Sequence, residues 1–78
     1  MINYKHLLAF VTVVRKKSFT VAAKELYMTQ PAISWQIKNL ENEIDLVLIE
    51  RKERGTKLTE AGKQFSVYAE KIIKAHEQ

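Results

Sequence analysis

Four side chains between residues 30 and 38 carry chemistry suited to reading the edges of DNA bases. On a helix they would form one outward strip: Gln30, Ser34, Trp35 and Lys38. A glutamine can pair with adenine through two hydrogen bonds, a serine hydroxyl can reach a base or a phosphate, and a lysine can meet guanine or phosphate. An ordinary polar helix face would have the same composition, and this strip alone supports both interpretations equally.

Trp35 favours the first interpretation, because an indole on a solvent-facing position exposes apolar area and so indicates an interface or a bound ligand. The chain then supplies four basic side chains over a short stretch: Arg51, Lys52, Arg54 and Lys57. Such a group suits phosphate contacts or a projection into a minor groove. Glu50 and Glu53 dilute it, so a hairpin held by its own ion pairs is the alternative.

Catalytic and metal-binding chemistry has little support in the sequence. His6 and His76 lie at opposite ends of the chain without acidic or cysteine partners at ligand spacing. Glu41 and Asp45 lie four residues apart, a spacing that could place two carboxylates together for acid–base catalysis, but a solvated helix face is the simpler interpretation. The two glycines are isolated, so no phosphate-binding glycine loop exists. We therefore expect neither an enzyme nor a metal or cofactor site.

Composition narrows the class of protein further. The chain has 78 residues, a formal net charge of +4 and no cysteine, which predicts one small domain without disulfides. Five basic residues but one acidic residue fall within residues 1–27. The sequence pI of about 9.5 fits a nucleic-acid partner, although many ordinary basic proteins share it. No apolar run approaches the roughly 18 residues of a membrane span, and no signal peptide is present, so we expect a cytoplasmic location.

Helices are the elements that would position these side chains. An apolar stripe at helical spacing predicts a first helix over about residues 4–15: Leu7, Phe10, Val11 and Val14. Ser18 or Thr20 can cap a second, shorter helix, whose inner face is expected to be Ala22, Ala23 and Leu26. Alanines on that face would let another helix pack closely.

The third helix has the clearest start signal. Thr29 is the predicted N-cap, Pro31 falls in the first turn, and Met28 is placed to pack against Ile33. Its apolar stripe continues at helical spacing: Ile33, Ile37, Leu40 and Ile44. The short connection from Leu26 to Thr29 predicts a helix-turn-helix.

After residue 45 the pattern changes to strand character. Residues 46–51 and 56–58 predict a two-stranded hairpin, or wing, around the polar turn at residues 52–55. Thr59 can cap a final helix with Glu60 in its first turn. That helix carries an apolar stripe that we expect to pair with a second copy of the chain: Phe65, Tyr68, Ala69, Ile72 and Ile73. The alternative is that the stripe only closes the core.

Together these residues resemble the DNA-binding domain of LysR-type transcriptional regulators, which are bacterial winged helix-turn-helix proteins. The matching residues and segments, in order, are Leu8 and Phe10, SFTVAAKEL (18–26), TQPAIS (29–34), IKNLE (37–41), ER (50–51), Arg54 and LTEAG (58–62). Each is short, but their order and spacing over nearly the whole chain are highly specific.

The resemblance implies a mainly α fold: a three-helix core with a two-stranded wing over residues 1–58, then a linker and dimerisation helix over residues 59–78. It implies a homodimer on double-stranded DNA, and an effector ligand sensed only by a C-terminal domain that these residues lack. It places Thr29, Gln30, Pro31, Ala32, Ser34 and Trp35 in the major groove. It implies that Thr20 contacts a DNA phosphate and that Arg51 and Arg54, on the wing, contact the DNA backbone and minor groove. We expect Lys38 and Lys57 to contact phosphates as well.

Four positions depart from the family pattern. Thr29 replaces the more usual serine but keeps the capping hydroxyl. Asp45 stands where a glycine usually ends the recognition helix, which suggests a different cap geometry. Ile49 replaces a usual phenylalanine and leaves a smaller side chain under the wing. Trp35 occupies a variable position that is often polar or basic, so base preference cannot be transferred from relatives. We predict sequence-specific DNA binding, with a winged protein-interaction module as the alternative.

Overall fold

The computed structural model describes residues 2–52 and 55–77. Within these ranges it has four helices and one hairpin: α1 (Tyr4–Lys16), α2 (Phe19–Glu25), α3 (Gln30–Ile44), β1 (Ile49–Lys52), β2 (Gly55–Leu58) and α4 (Glu60–Glu77). The predicted mainly helical, winged helix-turn-helix fold is confirmed. No helix in the described part of the chain is long and apolar enough to cross a membrane.

Each helix begins at a residue whose side-chain oxygen accepts a backbone N–H of the first turn. These residues are Asn3, Ser18, Thr29 and Thr59. Thr29, for example, accepts from the N–H of Ala32 at 3.2 Å, and Thr59 accepts from that of Gly62 at 2.9 Å. Such caps satisfy donors that the helix itself leaves free, which is why short polar side chains mark the starts so clearly.

The core forms around α1, which packs against the other three helices. Its fully or almost fully buried apolar residues come from every helix and from the loop before β1: Leu7, Ala9, Phe10, Val11, Val13, Ala22, Ala23, Ile33, Ile37, Leu40, Leu48, Ala69 and Ile73. The rings of Phe10 and Phe65 lie 5.9 Å apart between centroids and join α1 to α4. The helix-turn-helix is thus held on a single apolar core.

The wing is shorter than predicted, because residues 46–48 are not part of a strand. Their backbone is satisfied elsewhere: the Thr59 N–H donates to the Leu48 carbonyl at 2.9 Å, and the Thr59 hydroxyl donates to the Val47 carbonyl at 2.6 Å. Pairing begins at Ile49, which lies opposite Leu58, and Arg51 lies opposite Thr56. The loop before the wing is therefore tied to the start of α4.

Gly62 is required where α4 meets that loop. A Cβ atom at this position would lie 2.1 Å from the carbonyl oxygen of Leu48, closer than any real contact. The absence of a side chain lets the first turn of α4 approach the backbone directly. Farther along, Arg15 donates to Glu70 at 2.7 Å and fixes α4 to α1.

Three helix or turn ends use a non-glycine residue in the left-handed region: Lys17, Tyr27 and Asp45, with φ of 56°, 56° and 57°. The N–H of Asp45 donates to the Glu41 carbonyl and closes α3. The expectation of a different cap geometry at Asp45 is therefore wrong, because aspartate adopts the left-handed conformation that glycine would use.

Candidate nucleic-acid interface

The N-terminal half of α3 points one strip of side chains to solvent. Ile33 and Ile37 are buried on the inner face, while Gln30 and Lys38 are exposed on the outer one. Trp35 lies between them with 63% of its surface exposed. The predicted outward position of the indole is therefore confirmed.

Gln30 is paired with Thr20 across the helix-turn-helix. The side-chain amide of Gln30 donates to the hydroxyl of Thr20 at 2.8 Å, and both residues are exposed. A carboxamide has two N–H groups and a carbonyl with two lone pairs, so this bond leaves Gln30 able to reach a further ligand. The pairing brings a predicted base-reading residue together with a predicted phosphate contact.

Ser34 and Arg51 form a second pair, between α3 and the wing. The guanidinium of Arg51 donates to the Ser34 hydroxyl and also lies over the ring of Phe19, 4.8 Å from its centroid. Contacts with a hydroxyl and an aromatic face fix the plane of the guanidinium. The wing arginine is therefore held in place before any ligand arrives.

A cleft of about 540 Å³ separates the outward strip from the wing. Its lining combines basic, hydroxyl and aromatic side chains with one acid: Phe19, Pro31, Ser34, Trp35, Ile37, Lys38, Glu41, Ile49 and Arg51. Ala32 is half-buried near the cap of α3, where the hydroxyl of Thr29 is already engaged. The cleft thus combines the positive charges of Lys38 and Arg51 with the aromatic ring of Trp35 and the hydroxyl of Ser34.

Lys57 does not join this cleft. Successive residues of a strand point to opposite faces, so the register that places Glu50 opposite Lys57 puts Lys57 on the other face of the hairpin from Arg51. Lys57 instead borders a second cleft of about 290 Å³ under the wing, together with Lys17 and Ile49. The predicted wing residue Arg54 lies outside the described residues, as does the side chain of Lys52.

Glu41 has a defined structural contact that the sequence interpretation missed. Its Oε2 accepts from the backbone N–H of Leu48 at 2.7 Å and from that of Ile49 at 3.2 Å. The solvated-face interpretation of Glu41 is therefore wrong. The carboxylate fixes the start of the wing to α3, and nothing in the local spacing of the sequence signalled this contact.

His6 and Glu43 form a further contact beside the outward strip. The Nδ1 of His6 lies 2.7 Å from Glu43 Oε1, and the N–H of Asn3 donates to Glu43 Oε2 at 3.2 Å. Hydrogen bonding to His6 is the main cause that lowers the pKa of the Glu43 carboxyl, with the Asn3 N–H acting in the same direction. The ring of His6 also lies 6.2 Å from that of Trp35 at 88°. Nothing in the spacing of residues 6 and 35 signalled this.

The apolar stripe of α4 divides between two faces. Ala69 and Ile73 are fully buried in the protomer's own core, and Phe65 packs half-buried against it. These side chains take part in closing the core, and the first two have no surface left for a second chain. Tyr68 and Ile72 are 66% and 47% exposed, and their role in pairing stays a prediction.

Across residues 2–52 and 55–77, no three His, Cys, Asp or Glu side chains are grouped so that they could hold a metal ion. His76 lies instead beside Tyr4, with ring centroids 4.2 Å apart.

The chain is similar to several characterised proteins. Residues 4–63 match the family model described as bacterial regulatory helix-turn-helix protein, lysR family. The HTH-type transcriptional regulator BudR of Klebsiella aerogenes is 48% identical over 69 residues, covering 88% of this chain and 48% of BudR. The regulator BenM of Acinetobacter baylyi is 46% identical over 69 residues, covering 88% of this chain but 23% of BenM. The chain thus spans less than half of these relatives.

Two solved structures share the fold. A complex of the BenM DBD with catB site 1 DNA has a TM-score of 0.90 and 43% identity, covering 99% of this chain and 86% of that one. A complex of the CbnR DBD with DNA has a TM-score of 0.88 and 34% identity, covering 97% of this chain and 87% of that one. Both similar chains were crystallised with DNA.

Proposed function

The chain belongs to the lysR family of bacterial regulatory helix-turn-helix proteins, and from that membership we propose that it binds double-stranded DNA in a sequence-specific manner as part of a transcriptional regulator. The observation that carries this proposal is the close fit, over 99% of the chain, to a domain crystallised on its DNA site. The named relatives are transcriptional regulators and not enzymes. Since bacterial DNA lies in the cytoplasm, we place the protein there.

Base reading is assigned to the exposed N-terminal half of α3. A major groove about 12 Å wide admits one helix, and Gln30, Ser34 and Trp35 lie on the exposed side of that helix. Pro31 and Ala32, in its first turn, would contribute shape and contact with thymine methyl groups. The paired arrangement of Gln30 with Thr20 supports this assignment, since it holds the amide near the groove before DNA arrives.

Phosphate contacts are assigned to Thr20, Lys38 and Arg51, with Arg54 and Lys57 as further candidates on the wing. Arg51 is the best supported, because Ser34 and Phe19 fix its guanidinium beside the reading helix. Such contacts set the position of the protein on the duplex without reading its sequence.

A two-fold dimer would place two reading helices on two half-sites, about 34–36 Å apart along the DNA. Tyr68, Ile72 and the neighbouring Val67 supply an exposed apolar face on α4 for this pairing. Ala69 and Ile73 would support that face from inside the protomer.

The test is binding to a random-sequence duplex across a salt series, comparing the parent chain with Arg51→Ala. Each phosphate contact contributes about one unit to the slope of log affinity against log salt, so Arg51→Ala should flatten the slope by about one unit. Lys74→Ala, an equal change of charge at the far end of α4, should keep the parent slope. No binding at low salt, or identical slopes for all three chains, would contradict the proposal.

A further inference from the structure

We propose that His6 is a positioning residue for Trp35: from the first turn of α1, its ring braces the indole in the orientation that α3 presents to DNA. The inference rests on the proposed function and adds to it a residue from outside the helix-turn-helix. The ring of His6 contacts the indole of Trp35, and the carboxylate of Glu43 holds the His6 ring in place.

The two rings meet edge to face. Their centroids lie 6.2 Å apart and their planes cross at 88°, which is the perpendicular arrangement that aromatic pairs favour. The side chain of His6 is only 16% exposed, whereas Trp35 is 63% exposed. The contact therefore restrains the indole from one side and leaves most of its surface available to a ligand.

The His6 ring is itself fixed. Its Nδ1 lies 2.7 Å from Oε1 of Glu43, and an ionised carboxylate can only accept, so Nδ1 carries the hydrogen. The second oxygen of the same carboxylate accepts from the backbone N–H of Asn3, the cap of α1. His6 is thus held between two residues of α3, Trp35 and Glu43, which lie eight positions apart on the helix.

A hydrogen bond from Asn39 also reaches Trp35, but at its backbone. Asn39 donates to the backbone carbonyl of Trp35 at 3.0 Å, a bond that does not involve the ring. Among the described residues, the aromatic contact to the indole comes from His6. A side chain that is already restrained loses less conformational freedom on binding, and this lowers the entropic cost of a specific contact.

The experiment uses the single tryptophan of the chain as its own probe. In DNA-free protein, His6→Ala should lower the fluorescence anisotropy of Trp35 and shift its emission, because the indole gains freedom. On a duplex enriched from a random library by the parent chain, affinity should fall about three- to ten-fold, the size of one lost aromatic contact. Affinity for a random-sequence duplex should change less than two-fold.

His76→Ala is the matched control, since it removes the other histidine, whose ring contacts Tyr4 and not Trp35. It should leave the Trp35 anisotropy and the ratio of the two affinities unchanged. All measurements are made under solution conditions in which circular dichroism shows that each variant is fully folded. Parent-like anisotropy in folded His6→Ala would overturn the inference.

Two further variants separate the ring from the hydrogen bond. His6→Phe keeps an aromatic ring beside Trp35 but cannot bond Glu43, while His6→Gln keeps a donor without the ring. The inference expects His6→Phe to retain more of the anisotropy and of the affinity ratio than His6→Gln. The reverse order would show that His6 acts only through Glu43 and would overturn the inference.

If the parent chain binds no duplex, the proposed function fails, and the expected effect of His6 on DNA affinity fails with it. The anisotropy of Trp35 in DNA-free protein still decides whether His6 restrains the indole.

Discussion

The two ends of α3 carry similar numbers of polar side chains but use them in opposite ways. At the N-terminal end, Gln30 and Ser34 bond to other side chains at the surface, Thr20 and Arg51. At the C-terminal end, Glu41 accepts from the backbone of the loop before the wing, and Glu43 accepts from the start of α1. One end faces outward and the other fixes the helix to its neighbours.

The dipole of the helix makes this difference informative. Negative charge is unfavourable near a helix C-terminus, so two glutamates in the last turns of α3 would weaken it if they were only solvated. Their contacts with backbone N–H groups offset that cost, since hydrogen bonds to a charged acceptor are stronger than neutral ones. We infer that the C-terminal end supplies stability, whereas the N-terminal end supplies recognition.

The largest expected effect is on stability, at Glu41. Glu41→Ala removes the acceptor of two backbone N–H groups and should lower the free energy of unfolding by about 3 kcal/mol, measured by urea denaturation. Asn42→Ala, an exposed change at the same end of the helix, should stay within about 0.5 kcal/mol of the parent. If both variants unfold at the same urea concentration, the proposed anchoring role is wrong.

A change at the other end should affect recognition and leave stability nearly unaltered. Gln30→Ala is expected to weaken binding to the enriched duplex by about 1–3 kcal/mol, because it removes the bidentate pairing with a base that we propose for this residue. Its midpoint of unfolding should remain close to that of the parent, since its bond to Thr20 is at the surface. Equal losses on enriched and random duplexes would remove Gln30 from the reading residues.

A smaller effect is expected at the end of α3, where Asp45 holds a φ of 57°. Asp45→Gly should raise the free energy of unfolding by about 0.5–1 kcal/mol, because glycine adopts this conformation without strain and a negative charge leaves the helix C-terminus. Asp45→Ala, which keeps the strain of a side chain, should rank below Asp45→Gly in the same urea experiment. The opposite ranking would indicate that the aspartate side chain stabilises the cap.

The smallest effect concerns acid pH and Glu43. His6 lowers the pKa of this carboxyl below its ordinary value of 4.5, so its contribution to stability is present above pH 4.5 and is lost as the pH falls through the lowered pKa. In urea denaturation, Glu43→Gln should be less stable than the parent near neutral pH, and the difference should shrink at acid pH. A difference that stays constant down to pH 3 would contradict this.

Much of the fold follows from local patterns in the sequence. Caps such as Thr29, and apolar spacing such as that of Ile33 and Ile37, act within a few residues and can be read without knowing the rest of the chain. The outward position of Trp35 follows from the same periodicity. The predicted site residues in the lining of the cleft are Pro31, Ser34, Trp35, Lys38 and Arg51, whereas Phe19 and Glu41 were not predicted there.

Contacts between distant elements were not predictable in this way. Residues 46–48 have strand-forming side chains, but their backbone groups bond to side chains outside the sheet. The N–H of Leu48 donates to the Glu41 carboxylate, and the carbonyl of Val47 accepts from the Thr59 hydroxyl. Tyr68 and Ala69 lie about 100° apart around α4, and only the packing of α4 on α1 decides that Ala69 is buried and Tyr68 exposed. The contact between His6 and Trp35 likewise depends on how α1 crosses α3.

The division of α3 into a DNA-binding end and an anchored end is best tested by titrating the chain with the enriched duplex and following its backbone amide signals by NMR. We predict the largest shifts at residues 18–20, 29–38 and 49–51, together with the indole N–H of Trp35. Small shifts are expected at residues 41–45, where α3 is fixed to the protein. Shifts concentrated on the exposed face of α4 around Tyr68, or the absence of shifts at residues 29–38, would contradict it.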